Sequence, residues 1–419
     1  MACGFKKSSL LTCIAFLTVM LAVCVAVSCG KAGDPDSDSN SGRDSAVSSE
    51  EPVDVSLSDV SMELGYRVTR SVKAVGGKEI RWSSSDEGVA TVDSEGNVTG
   101  VEPGECVITA VNEFGRSAQC GVAVKRVCYL SFDDGPHYTV YGILDVLKEY
   151  DVKATFFLVN TVNIESVKRM AEEGHALALH TNVNSTKICY KTMYSYYEGL
   201  DILNDKLEEL VGQRSDLIRF PGGTDNRVCN ALTMRRIVSG ADDMGYRVFD
   251  WTASAQDAAW GTDAASSYKN VCATCRDTEE IVLMHDLPFT AEALKKIIPT
   301  LRKRGYTFET LDHYPDRDYR QQCRYSWGKK DFPANSVSIR KKSAELKVGS
   351  KMLLSASMVP AYSTDYILWQ SSDDKIASVT KGGLVKGIAE GEAIITARTS
   401  SGQTASCTVK VIPKQNAGA

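Results

Sequence analysis

What most restricts the fold of this chain is that it repeats itself once, on either side of a stretch that does not repeat. The segment WSSSDEGVATVDSEGNVTGVEPGECVITAVNEFGRSAQCGVAV from Trp82 matches WQSSDDKIASVTKGGLVKGIAEGEAIITARTSSGQTASCTVKV from Trp369. Trp82 with Trp369, Gly96 with Gly383, Gly104 with Gly391 and Cys120 with Cys407 share one offset, so no insertion separates the copies. Within each copy, short alternating runs such as VATV and CVITAV are divided by Gly-containing turns, the pattern of a small antiparallel sandwich. The middle must therefore fold on its own terms between two all-β modules.

Between the copies strand-like and helix-like runs alternate. CYLSF (128–132), ATFFLV (154–159) and HALALH (175–180) each precede a helical pattern, and LIRF, RVFDW and EEIVLMH continue the series until YTFETL closes it. Strands taking turns with helices predict a parallel sheet, here a closed or partly closed, distorted β/α barrel. In such a fold the side chains just past the strand ends converge on one face. Asp133-Asp134, His180, Arg219, Asp250-Trp251 and His285-Asp286 stand at those positions. Asp-Asp-Gly-Pro alone would read as a turn; five strand ends carrying charged or imidazole groups together read as a site. His175, at the start of its strand, reads as structural.

The ends of the chain carry other signals. Lys6 and Lys7 precede an apolar run from Leu10 to Val27, followed by Ser28 and Cys29, which predicts an export signal over 1–28. The close of that run resembles a lipoprotein signal, with Cys29 as the lipidated residue; cleavage without lipid and an uncleaved anchor are the alternatives. Residues 29–51, rich in Ser, Asp and Gly, read as a disordered tether. A formal charge of -5 and a pI near 5.7 give no broad basic surface, so nucleic acid is set aside as a partner. Of thirteen cysteines, nine lie beyond the leader and Cys29, an odd and scattered set with no disulfide framework, and the CATC of Cys272–Cys275 has no second pair to make a zinc site.

The repeated W-x-S-S-D, G-x-V-x-G and G-x-x-x-I-T-A motifs resemble the bacterial Ig-like domain of group 2, over 52–125 and 333–413. In the middle, SFDDGP (131–136), GHALALHT (174–181), RFPGG (219–223), FDW (249–251) and LMHD (283–286) resemble, in order, the motifs of the NodB-type polysaccharide deacetylases, carbohydrate esterase family 4, over 126–314. A linker at 315–332, charged and aromatic and so expected to pack, and a tail at 414–419 complete the division. The resemblance implies hydrolysis of an N-acetyl group on a cell-wall or extracellular amino-sugar polymer, with an O-acetyl ester as one alternative and a glycan-binding surface protein as another.

It also implies one divalent metal, zinc or else cobalt, nickel, manganese or iron, held by Asp134 and His180. Asp133 would be the general base, positioned by Arg219, and His285 the general acid, kept charged by Asp250. The Gly222 backbone N–H would face the developing oxyanion. Trp251 and Leu283 would line a pocket for the acetyl methyl, with plain barrel core as the competing reading. The second motif departs from the family: where the pattern His-(Ser or Thr)-x-x-His puts a second histidine, this chain has Asn184. If the chain turned into helix after His180, Asn184 would face the same way and offer an amide oxygen as third ligand. The expected setting is the outer face of a bacterial membrane or a secreted monomer, with the cell wall met through the Ig-like modules and the membrane through the leader or its lipid alone.

Overall fold

The computed structural model describes residues 53–159, 163–183, 185–315, 319–320 and 331–414. The expected leader, tether and Cys29 lie outside the described residues, as do Asn184, most of the linker and the tail beyond 414.

The central element is one strand of 17 residues, Ser117–Asp133, that begins in the first Ig-like module and ends at the candidate site. Its first half pairs with Ser61–Gly65 on one side and Gly104–Asn112 on the other. Its second half pairs in parallel with Tyr306–Phe308 and then Thr155–Leu158 on one side, and with Glu279–His285 on the other. The expected division between residues 125 and 126 falls inside this strand. Its burial follows its surroundings: every second residue is buried while it belongs to the module, and nearly all of them once it enters the barrel, where both faces are covered.

Around that strand the middle domain forms a parallel sheet in the order Arg247–Val248, Leu217–Ile218, Ala176–Leu179, Thr155–Leu158, Ser117–Asp133, Glu279–His285, Ala253–Ser254. The two edge strands are not paired with each other, and the chain itself crosses the seam. Phe249 donates its N–H to Ile218 on one side, and Thr252 donates to Ile281 on the other. Tyr319, one of the few described linker residues, bonds to Val248 and Asp250 along the same seam. The result is an incomplete barrel with Asp250 and Trp251 at its gap.

Helices α1 (Val140–Glu149), α2 (Ile164–Glu172), α3 (Thr186–Cys189), α4 (Met193–Val211), α5 (Ala231–Ser239), α6 (Ala264–Thr274) and α7 (Thr290–Lys303) surround it. Their starts are written locally: Thr192 and Asp263 each cap a helix whose third residue is a serine that bonds back, and Gly212 ends α4 in the left-handed region. One core lies between the sheet and these helices. A second joins the first module to the barrel interior, running from Leu64, Val98 and Ile108 into Tyr129, Phe157 and Phe249. The module is therefore the floor of the barrel.

The second module has its own core and docks on α4 and α5. The Glu198 carboxylate accepts from Gly382 N at 2.9 Å and Thr380 Oγ1 at 2.6 Å, Tyr194 Oη accepts from Ile367 N, and Tyr366 Oη donates to Asp243 at 2.6 Å. The repeated Trp and Gly have a common purpose. Gly96 (φ +83°) and Gly383 (φ +87°) lie beneath the indoles of Trp82 and Trp369, where a Cβ would come within 2.7 Å and 2.8 Å of a ring carbon. Only glycine meets both the left-handed backbone and that contact.

Candidate active site

Asp133 is the last residue of the long strand, with its carboxylate buried. Its Oδ1 accepts from Arg219 Nη1 at 2.8 Å. Arg219, wholly buried, also donates to Ser131 Oγ, Phe249 O and Asp250 O, and its guanidinium lies 4.1 Å from the Phe157 ring centroid. A buried cation is tolerated when it is paired and hydrogen-bonded, and this one is paired and has an acceptor at each of its three nitrogens. The other carboxylate oxygen, Oδ2, faces His180 Nε2 at 3.9 Å.

His180 follows the Ala176–Leu179 strand. Its Nδ1 is 2.7 Å from the Arg219 carbonyl oxygen, which can only accept, so Nδ1 carries the hydrogen and Nε2 presents a lone pair to the site. That lone pair is 3.5 Å from Asp134 Oδ1. Asp134 holds a left-handed backbone, φ +70°, rare for a non-glycine residue and found at sites where surrounding structure enforces it. Two donors sharing one ion at bond lengths near 2.0–2.1 Å stand about 3.3 Å apart in tetrahedral geometry, so the Asp134 and His180 pair fits a divalent cation. Among the described residues no cluster of three or more His, Cys, Asp or Glu is arranged to hold a metal, so a third ligand from the protein must be of another kind or lie elsewhere.

The expected helical turn after His180 is absent. Thr181 Oγ1 accepts from Val183 N at 3.3 Å and lies 3.2 Å from Val183 O, a local turn that competes with helix, and α3 starts only at Thr186. Residues 181–183 therefore form no helix leading from His180, and Asn184 itself is outside the described residues.

His285 closes the Glu279–His285 strand, with Nε2 4.0 Å from Asp134 Oδ2. Its partner is not Asp250. Both oxygens of Asp257 are committed to His285, Oδ2 to its N–H at 2.8 Å and Oδ1 to Nδ1 at 2.7 Å. Burial acts to lower the imidazole pKa, but the bond to Asp257 and the charges of Asp133, Asp257 and Asp134 together hold it above the ordinary value. Asp250 is turned to the other side of the seam, where it accepts from Thr224 N at 3.0 Å and from Thr224 Oγ1. It braces the turn after Arg219. Sequence reasoning missed Asp257 because it lies on a loop with no periodic signal.

That turn carries Gly222 at φ +82°, with room for no Cβ: one would stand 2.9 Å from Asn226 Cβ. Gly223 N is spent on Phe220 O, whereas the Gly222 N–H has no partner among the described residues. Gly223 packs against Trp251, which is partly exposed, and Leu283 is buried in its strand. A cleft of about 570 Å³ opens beside Asp134, lined by His137, Val159, Thr181, Lys187 and Pro221 among others. The CATC cysteines are unpaired thiols, and burial pushes Cys275 up to about 12, far from a reactive thiolate.

A family model for polysaccharide deacetylase matches residues 121–248, and one for the bacterial Ig-like domain (group 2) matches 51–122 and 333–409. YheN of Bacillus subtilis (strain 168), provisionally named a polysaccharide deacetylase, is 34% identical over 195 residues, 45% of this chain and 67% of that protein. A peptidoglycan-N-acetylglucosamine deacetylase of Bacillus cereus is 31% identical over 204 residues, 46% of this chain and 72% of its own length. The solved catalytic domain of the peptidoglycan N-acetylglucosamine deacetylase from Eubacterium rectale ATCC 33656 is 31% identical, covers 47% of this chain and 93% of that domain, and superposes with a TM-score of 0.45.

Proposed function

Because the chain belongs to the polysaccharide deacetylase family and is a deacetylase enzyme, we propose that it hydrolyses N-acetyl groups on an amino-sugar polymer of the bacterial cell wall, using Asp133 as base and His285 as acid around a divalent ion. The observation that carries the reading is the pairing of the Asp133 carboxylate with Arg219 beside two donors, Asp134 and His180, that a cation can share.

Asp134 and His180 would hold the ion, which when bound polarises an amide carbonyl and lowers the pKa of a water. Arg219 occupies Oδ1 of Asp133, leaving Oδ2 to take the proton of the attacking water. As the carbonyl carbon becomes tetrahedral, the Gly222 N–H donates to its oxygen. The C–N bond breaks only if the amine nitrogen is protonated, and His285 Nε2–H delivers that proton. Asp257 fixes Nδ1 of His285 and so aims Nε2 inward. Trp251 and Leu283 are suited to the acetyl methyl. Export through residues 1–28, with lipid on Cys29, would put this chemistry outside the cell, and the Ig-like modules are suited to cell-surface spacing.

The experiment is acetate release from peptidoglycan and N-acetylglucosamine oligomers after loading separately with zinc, cobalt, nickel or manganese. Release that falls about 10²- to 10⁴-fold in Asp133→Asn is the expected result. No release with any metal, from material that a relative deacetylates, overturns the reading.

A further inference from the structure

The two most exposed large apolar side chains among the described residues are Trp260, at 102% of its reference area, and Tyr138, at 87%. Neither lies on a module. Each is attached by a short, braced piece of chain to the same dipeptide, His285-Asp286.

On one side, Trp260 stands three residues after Asp257, whose carboxylate is spent on His285. Three residues of chain reach no farther than about 11 Å. The turn between them is firmly closed. Gln256 O accepts from Ala259 N at 3.3 Å and Thr262 Oγ1 at 3.2 Å, Thr262 N donates to Ala259 O, and Asp263 caps α6 immediately after. Gln256 adopts φ +51° to make it. On the other side, Tyr138 sits between His137 and Thr139, and both neighbours bond to the Asp286 carboxylate at 2.6 Å. His137 also lines the cleft beside Asp134.

Of the other described tryptophans, Trp82 and Trp369 pack on glycines of their modules and Trp251 on Gly223. A fully bare indole, held within about 11 Å of Asp257 by a hydrogen-bonded turn with a left-handed Gln256, packs on nothing in its own fold and leaves its whole face open to contact. A flat aromatic face, single rather than part of an apolar patch, suits the weakly polarised C–H face of a pyranose ring, which is apolar on that side and hydroxylated at its rim. Resting on the reading above, we propose that Trp260 and Tyr138, each tethered to the His285-Asp286 pair, are stacking platforms for sugar rings flanking the residue that is deacetylated, so that the enzyme recognises a run of the polymer and not one sugar.

The test measures acetate release from N-acetylglucosamine oligomers of two to six sugars by the full chain, Trp260→Ala and Trp260→Phe, with hexamer binding to each followed separately by calorimetry. Trp260→Ala should raise KM for the hexamer about tenfold with little change in kcat and weaken its binding by the same factor, while the disaccharide changes less than twofold. Trp260→Phe should recover most of the loss, and adding Tyr138→Ala should deepen it. Equal losses on disaccharide and hexamer, a loss in kcat in place of KM, or unchanged hexamer binding overturns the proposal. A parent that binds hexamer through Trp260 yet releases no acetate upholds the platform and overturns the hydrolytic reading. Hexamer hydrolysed alike with and without Trp260 does the reverse, and a parent that neither binds nor cleaves it overturns both.

Discussion

Asp257 shows why a single residue can matter more than the motif beside it. FDW drew attention to Asp250 because it stands directly at a strand end, yet the strand stops at Val248 and the chain crosses the seam before Asp257 turns back to His285. Asp133, His180, Arg219 and His285 were legible because each follows an apolar strand run whose end can be read; a loop carboxylate has no such marker. Asp257→Asn should lower kcat about 10²- to 10⁴-fold, since an amide at that place neither fixes the Nδ1 proton nor supports the imidazolium. Acetate release from a soluble oligomer checks it. His175 behaves oppositely. It accepts from Ala154 N at 3.2 Å and packs edge-on against Phe156, and burial, with Lys153 adding to it, lowers its pKa from 6.5 to about 4. Below pH 6.5 the unfolded chain takes up a proton that the folded one refuses until about pH 4, so stability is lost as pH falls through that window. The loss should reach about 2 kcal/mol between pH 7.5 and 5, and His175→Gln should flatten it in urea unfolding at the two pH values.

Two elements differ in how far their sequence announced them. The Phe220–Thr224 turn is marked in the sequence by the RFPGG motif, and it is the resemblance that implies a backbone N–H, that of Gly222, facing the oxyanion. Gly222→Ala forces a Cβ against Asn226 at φ +82°. It should cost about 1–2 kcal/mol in stability and, by displacing the N–H, about 10²-fold in kcat, seen in thermal unfolding and acetate release. The long strand, by contrast, was read as two pieces. The module and barrel motifs are separate in the sequence, and their extents alone put the division between residues 125 and 126. The contrary signal was an absence: from Val122 to Asp133 no Gly, Pro or Asn interrupts the run, and a chain without turn residues has no cause to leave the strand. Full burial of its second half could not be told from sequence periodicity, because a strand covered on both faces has none.

At the scale of the whole molecule the two copies of one module have different standing. The second meets α4 and α5 through hydrogen bonds, the Lys381–Asp201 ion pair and a small apolar contact of Tyr366 and Leu368, while its main core stays separate. Removing 333–414 should leave a soluble protein that still releases acetate, with a lower melting temperature. Removing residues before 126 strips Val127, Tyr129 and Ile281 of the core they share with Leu64 and Ile108, and should give an insoluble or unfolded barrel; soluble yield and near-ultraviolet circular dichroism distinguish the two. Family models recognise both copies as the same kind of module, and the first match ends at 122 while the deacetylase match begins at 121, inside one strand. The shared strand thus changes what can be inherited separately. Along an unbroken strand each added or lost residue turns every later side chain to the opposite face, Asp133 included. The first module has ceased to be a cassette that recombination can exchange or lengthen at will, while the second still is one.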